Sequence, residues 1–527
     1  MTQVTAPRSP LRTAMRRLPV PRPPHGWTAA WLLLSAATMA ALCSTGFLPF
    51  YDYYQWLFQG HVVAVLLFGA DPGPGFVADA YSLSPVPVPN LAAPILIGLF
   101  NTVLPTEAAG QVFIVVTTLG FACAFGYLVR TIQQRPTAVE FLGFPFAMGF
   151  FLYKGYLSYA FGLAGMFLLV AMLERLVRRC GERSILLGVA GLSVLLYLSH
   201  LLAWVMGGLA VLVYALVLAR QGRRRTAAQL VAGLLPGGIL AGWYVLAEHG
   251  GSGITLYPSW RDKAIALTET LQFFLRSDPF PPVAALFWVN VVVVLAFGGI
   301  VVSQLDVRAI RTAVSTRPVL WLSAALALVA LVLPISTVND LIKPDERFVA
   351  PALLLAIAAL PYRPVRRPMT ALGPVLAAGV IALHLVEYVD VGQRIAGVDA
   401  AIDASVPDGA SVLHLTVTSP SGCVPAAGPV TGVPVLKWFV VDHALEGGPA
   451  LVNVEETSLV HARRSVAPDA SVLNLDVADV PAAVGAADYP YIEVVACPSD
   501  LEAVRRDLAP RYRSIAQGAT YTILTRT

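Results

Sequence analysis

The chain has 527 residues, 57% hydrophobic and 13% charged, with a net charge of +4 and a mean hydropathy of +0.69. That composition excludes an ordinary soluble domain, and a charge this close to balance, with basic residues in short clusters between apolar runs, leaves no electrostatic footprint for nucleic acid. The chain reads as a polytopic α-helical membrane protein whose basic clusters are topology signals.

Residues 1–26 carry Arg8, Arg12, Arg16, Arg17 and Arg22 ahead of a first apolar run. The run is long for a signal-peptide core and Ala41-Leu42-Cys43 is a weak cleavage site, so it reads as an uncleaved span. Runs able to cross about 30 Å of hydrocarbon predict spans near 27–46, 108–130, 137–153, 156–174, 184–199, 201–219, 226–247, 283–304, 318–336, 347–362 and 369–389, about eleven in all. Two segments are ambiguous: 53–69, interrupted by Gln55, Gln59 and His61, and 91–104, short and flanked by prolines.

The positive-inside rule arbitrates between them. If both span or neither does, the arginines of the tail and those at 130–135, 175–183, 220–225, 308–317 and 363–367 fall on one side, against Lys154, Arg261, Lys263, Arg276, Lys343 and Arg347 on the other. If only one spans, the asymmetry inverts. Segment 53–69 is therefore expected as an interfacial amphipathic helix and 91–104 as a short re-entrant or interfacial segment. The N-terminus is placed in the cytoplasm, and loops 47–107, 154–155, 248–282 and 337–346 outside.

After about residue 391 the apolar runs shorten to strand length at 411–417, 471–477, 491–496 and 520–525, with helical patterns at 392–405 and 499–508. Residues 1–390 are thus expected as a transmembrane domain and 391–527 as an external α/β domain. Its only cysteines are Cys423 and Cys497, which form either an external disulfide or two separate thiols. Cys43, Cys123 and Cys180 lie in or beside spans as packing residues. No metal-ligand spacing, phosphate-cradling Gly motif or nucleophile elbow is present; no cofactor is predicted, and a divalent metal stays open.

The chemistry is expected at Phe47–Trp56, FLPFYDYYQW, where Asp52 lies among aromatic residues after the first span. A partly desolvated carboxylate at the membrane boundary gains the basicity a general base needs. Asp is also a favoured helix N-cap, and an Asp52 that only caps the 53–69 helix is the structural alternative. Further along stand GFFLYKGYLSYAFGLAG (149–165) and KPDERFVAPALLLA (343–356), the latter with an arginine opening a late span.

This architecture, with an acidic residue opening an external first loop and an external C-terminal domain, resembles the GT-C superfamily of membrane glycosyltransferases. The resemblance implies a sugar carried on a polyprenyl phosphate or diphosphate, and Asp52 deprotonating an acceptor hydroxyl while cations stabilise the departing phosphate. It implies an enzyme of the bacterial inner (plasma) membrane with membrane lipids and an acceptor glycan, lipid or protein as partners. Arg347, with Lys343 nearby, suits a bidentate grip on phosphate. The alternatives for Arg347 are pairing with Asp345 or Glu346, or snorkelling to headgroups. Lys154 is a second cation for the same phosphate or an interfacial anchor. Tyr51, Tyr53 and Tyr54 suit sugar stacking or belong to an aromatic belt. His200, in YLSHLLAW, is a substrate-binding candidate by its depth or a helix-helix hydrogen-bonding residue. The rival readings are a transporter or lipid flippase, which calls for repeats and mid-membrane ionisable residues, and a catalytically inactive scaffold.

Overall fold

A chain this apolar has to satisfy its backbone polar groups within its own segments, and the result is predominantly helical. The computed structural model describes residues 25–527 apart from 47, 51, 73–77, 179–182, 248–253, 257–258, 275–282, 333–334, 339, 342–343, 364–370, 408–409, 411, 418–458, 463–470 and 487–488. Tyr51, Lys343 and Cys423 therefore lie outside the described residues.

The expected spans appear as helices: α1 (His25–Leu42), α4 (Thr106–Gln133), α7 (Leu157–Arg178), α8 (Arg183–Ser199), α9 (Leu201–Arg220), α10 (Arg224–Ala232) with α11 (Leu235–Ala247), α13 (Val283–Gln304), α15 (Pro318–Val332), α16 (Pro344–Ala359) and α17 (Leu372–Ser405). Among the described residues, five helices are long and apolar enough to cross a membrane. A sixth is added if α14 (Ile310–Thr316) and its preceding turn join α15 across an 85° bend. The segment expected at 137–153 is broken into a 3-10 turn at Ala138–Leu142, α5 (Gly143–Met148) and α6 (Phe150–Tyr153).

Segment 53–69 forms α2 (Tyr53–Phe68), but the amphipathic reading is corrected. Leu57 to Ala64 are buried at every position, more than two turns with no exposed stripe. The reason is α3 (Ala92–Asn101), which lies directly on it. A Cβ on Gly60 would stand 2.4 Å from Ile97 Cγ2, and one on Gly98 would stand 2.9 Å from the Gly60 carbonyl oxygen. Two glycines thus permit a backbone approach that larger residues forbid.

Described arginines from several of the basic clusters meet at one end of the bundle, where they also satisfy helix ends. Arg317 donates to the Ala359 carbonyl at 2.7 Å, Arg135 to that of Tyr362, and Gln133 to Ala358 and Leu360 at 2.7 and 2.8 Å. These donors meet last-turn carbonyls of α16 that helix geometry leaves open, and carbonyls just beyond its end. Arg130 pairs there with the buried Glu140, which also accepts from Trp27 on α1.

At the other end, the expected external loops meet one another. β2 (Ile254–Leu256) pairs with β3 (Ile335–Val338), which pairs with β4 (Asp340–Leu341). Lys263 on α12 (Trp260–Thr270) donates to the Ala330 and Leu331 carbonyls closing α15, at 3.0 and 2.6 Å. β1 (Tyr81–Leu83), from the first loop, pairs antiparallel with β6 (Val460–Ala462) of the C-terminal part.

α17 runs unbroken for 34 residues through position 391, so the change of character falls inside a helix. A five-stranded sheet follows in the order β7-β5-β8-β10-β9: β5 (Val412–Val417) lies parallel between β7 (Ser471–Leu475) and β8 (Tyr491–Val495), and β10 (Tyr521–Arg526) lies antiparallel between β8 and β9 (Tyr512–Gln517). One face packs Leu413, Leu415, Ile492 and Val494 against α18 (Val480–Ala486) and α19 (Pro498–Leu508). The other turns Val412 and Ile523 towards Ile402 and Val406 at the end of α17.

The glycine crossing yields a test. Gly60→Val is expected to push α3 off α2 and destabilise the protein by about 1–3 kcal/mol, the usual cost of overpacking. Gly242→Val, where a Cβ meets open space, is expected to have no such effect; thermal unfolding in one detergent checks the pair.

Candidate functional site

The turn between α6 and α7, Lys154-Gly155-Tyr156, is where the candidate residues meet. Gly155 has φ +70°, and a Cβ there would stand 2.3 Å from the Asp52 backbone nitrogen and 2.7 Å from its Cα. Both the conformation and the contact require glycine. The Trp56 indole, one turn into α2, donates to the Gly155 carbonyl at 2.8 Å. Asp52 and the start of α2 are therefore seated on the 154–156 turn.

Asp52 occupies the N-cap position of α2, but its side chain makes no capping hydrogen bond. The helix start thus leaves the half-buried carboxylate uncommitted to the capping role.

Arg347 reaches the same turn from α16. Its guanidinium carbon lies 4.4 Å from the centre of the Tyr156 ring, a cation–π distance. The Tyr156 hydroxyl donates to the Glu346 carboxylate at 3.1 Å, and the charges of Arg347, Glu346 and Asp52 all bear on that hydroxyl. Lys154, buried, holds its ammonium 5.5 Å from the Phe150 ring centre.

A proline positions Arg347. Pro351 lies inside α16 and has no N–H, so the carbonyl four residues earlier, that of Arg347, loses its helical donor. The Tyr159 hydroxyl donates to that carbonyl instead. Tyr159 also packs edge-on against His200, with ring centres 5.0 Å apart. His200 caps α9, its Nδ1 accepting from the Leu202 N–H at 3.0 Å. Nε2 therefore carries the proton in a neutral ring, and burial first, then the Arg347 charge, holds its pKa well below the ordinary histidine value.

The structure thus brings together Asp52, Lys154, His200 and Arg347. Tyr53 and Tyr54 are placed differently: both are fully buried, their rings 5.0 Å apart, and Tyr54 donates to the Leu48 carbonyl at 2.7 Å. Their rings hold the loop in place and present no open face for a sugar. Cys497 is disulfide-bonded, and its partner lies outside the described residues. Among the described residues, no group of three or more His, Cys, Asp and Glu side chains is arranged to hold a metal.

Sequence reasoning missed Gly155 and Pro351 as parts of this arrangement, and the hold of Tyr159 on the Arg347 carbonyl. It also missed a buried polar layer behind it. Tyr153 donates to the Phe273 carbonyl, and its hydroxyl oxygen lies 2.7 Å from His384 Nδ1. One hydroxyl has one proton, so His384 is the donor in the second bond and carries its proton on Nδ1. His384 Nδ1 also lies 3.5 Å from the Glu387 carboxylate, and Tyr388 meets Phe50 with ring centres 5.5 Å apart. His384 and Glu387 lie towards the C-terminal end of the apolar stretch Leu372–Asp390. LHLVEYVD (383–390) repeats polar side chains at helical spacing, and that was the available signal.

The Asp52–Gly155 contact is testable against a built-in control. Gly222 has φ +80°, and a Cβ there would meet nothing within 4 Å, so Gly222→Asn, which tolerates positive φ, is expected to match the wild type in thermal stability. Gly155→Asn keeps the conformation but drives a Cβ into Asp52 and is expected to lower stability by about 1–3 kcal/mol; equal melting of the two variants would break the assignment. Among known proteins, no family profile and no curated protein sequence matches this chain. Among solved structures, it is similar to the crystal structure of ArnT from Cupriavidus metallidurans in the apo state, at 11% identity and a TM-score of 0.46, over 95% of this chain and 98% of that one.

Proposed function

We propose that the protein is a membrane glycosyltransferase of GT-C type, transferring a sugar from a polyprenyl-phosphate carrier to an acceptor at the external face. The observation that carries this reading is the convergence on one turn of a carboxylate, Asp52, and two cations, Lys154 and Arg347, from separate parts of the chain.

In this reading Asp52 takes the proton of the acceptor hydroxyl as its oxygen attacks the anomeric carbon. The new carbon–oxygen bond forms, the bond to the carrier phosphate breaks, and the departing phosphate keeps the electron pair. Arg347, with Lys154, stabilises the charge that grows on that phosphate, and its guanidinium suits two phosphate oxygens at once. The buried setting strengthens these attractions relative to water. Tyr156, between Arg347 and Glu346, and Tyr159, on the Arg347 carbonyl, fix the cation against the turn that seats the base.

The test separates base from binding. Radiolabelled transfer from a panel of polyprenyl-phosphate sugars is measured in membranes containing wild type, Asp52→Asn or Arg347→Gln at matched levels, alongside retention of the labelled carrier. Asp52→Asn is expected to lower transfer by about 10²–10⁴-fold, the worth of a general base, with carrier retention kept. Arg347→Gln is expected to lose both. Equal transfer by wild type and Asp52→Asn would remove Asp52 from the chemistry, and retention without transfer by the wild type would favour the scaffold reading.

A further inference from the structure

At the arginine-rich end, far in the chain from the turn that seats Asp52, α9 and α10 enclose an open groove of about 540 Å³. Its walls are apolar and mostly small: Ala215 and Ala219 on α9, and Ala227, Ala228 and Ala232 on α10, with Leu235 opening α11. Alanines one turn apart on two facing helices leave a channel where longer side chains would interdigitate.

Arginines flank one mouth of this channel, with Arg223 directed to the Leu176 carbonyl on α7 at 3.5 Å and three others exposed. Arg220 ends α9, Arg223 precedes α10, and Arg224 and Arg225 open it. Helical spacing sets them in line with the walls: Arg220 lies four residues beyond Leu216 and Arg224 four residues before Ala228, both of which line the groove. Arg220, Arg224 and Arg225 are exposed, and among the described residues none of the three has a carboxylate within ion-pair distance. The first turn of α10 contains no acidic residue, so its positive dipole end adds to theirs.

An apolar channel continuing from a cationic mouth has the chemistry of one occupant. We propose that this groove is a site for a single anionic phospholipid of the leaflet at the arginine-rich end, its headgroup phosphate on Arg220, Arg224 and Arg225 and an acyl chain along the alanine walls. Such basic pockets between membrane helices recognise the charge of a headgroup, where annular contact alone does not. A zwitterionic lipid offers the same chain but a phosphate already neutralised within its own headgroup, so the arginines select against it.

The full-length protein is reconstituted in nanodiscs of phosphatidylcholine with phosphatidylglycerol in equal parts, released in the gas phase, and its retained lipids are counted by native mass spectrometry. The wild type is expected to keep one phosphatidylglycerol that Arg220→Gln/Arg224→Gln/Arg225→Gln loses. Ala228→Phe, which fills the channel and leaves every arginine, is expected to lose the same lipid. Because the arginines are exposed, folding of the triple variant is expected, and an unchanged melting temperature in detergent confirms it. Equal retention by wild type and triple variant, or retention of phosphatidylcholine in place of phosphatidylglycerol, would overturn the site. Retention by Ala228→Phe would overturn the place of the chain in the groove.

Discussion

The contact on which the site depends is that of Asp52 with Gly155. Two chain segments about a hundred residues apart touch backbone to backbone because one residue has no side chain and sits at positive φ. With the Trp56 bond to the same residue, this fixes the direction in which α2 starts and hence where the carboxylate stands. Lys154 on one side and Tyr156 with Arg347 on the other belong to that turn or rest against it. A shift there would move the Asp52 carboxylate relative to Lys154 and Arg347.

Around the turn, the polar groups are organised by what an apolar environment leaves unsatisfied. Pro351 removes a helical donor and Tyr159 supplies another, an exchange that ties Arg347 to α7. Tyr153 does the same for the Phe273 carbonyl and then engages His384. At the opposite end Arg135, Arg317 and Gln133 donate to the last carbonyls of α16 and the residues just beyond. A lost partner at the buried Tyr153 has no water to replace it, so that hydrogen bond costs more to break than to have made. The arginines that set the topology in sequence are thus also the residues that close helix ends in structure.

Much of the helical architecture was legible because apolar runs and arginine clusters are strong, redundant signals. Most of the eleven expected segments coincide with helices, 137–153 being the one that is broken; β1 of the first expected loop pairs with β6 of the C-terminal part, and β2 with β3. Strands β5, β7, β8 and β10 also fell where alternation placed them; β9, polar along most of its length in YRSIAQ, did not announce itself. What stayed hidden were contacts between distant segments. Nothing in 53–69 tells that Gly60 faces Gly98, so polar interruptions at Gln59 and His61 read as an exposed face when both residues are buried. At the site, Asp52, Lys154, His200 and Arg347 were visible as charged or polar residues in apolar surroundings. Gly155, Tyr159 and Pro351 act only through their partners, and composition carries no trace of a partner. Tyr53 and Tyr54 misled for the same reason: an aromatic beside a candidate base serves equally as a wall of the core or a platform for a ligand.

The C-terminal sheet is joined to this arrangement by more than its chain connection. Along α17, Gly392 lets the helix pass so close to Thr45 that a Cβ would stand 2.0 Å from its hydroxyl oxygen, at the entrance to the loop that carries Asp52. Further up that loop, β1 pairs with β6, and Tyr81 of the pair packs edge-on against Phe58 of α2 with ring centres 5.1 Å apart. The same helix α17 bears His384 and Tyr388 behind Phe50, and its last turn carries the inner face of the sheet. The segment is therefore held before Asp52 by α17, at Asp52 by Gly155, and after α2 by a strand of the C-terminal part. The general base of the proposed mechanism would need this fixity, because proton transfer requires hydrogen-bond reach. The sheet's structural role near Asp52 is to hold the segment that carries it.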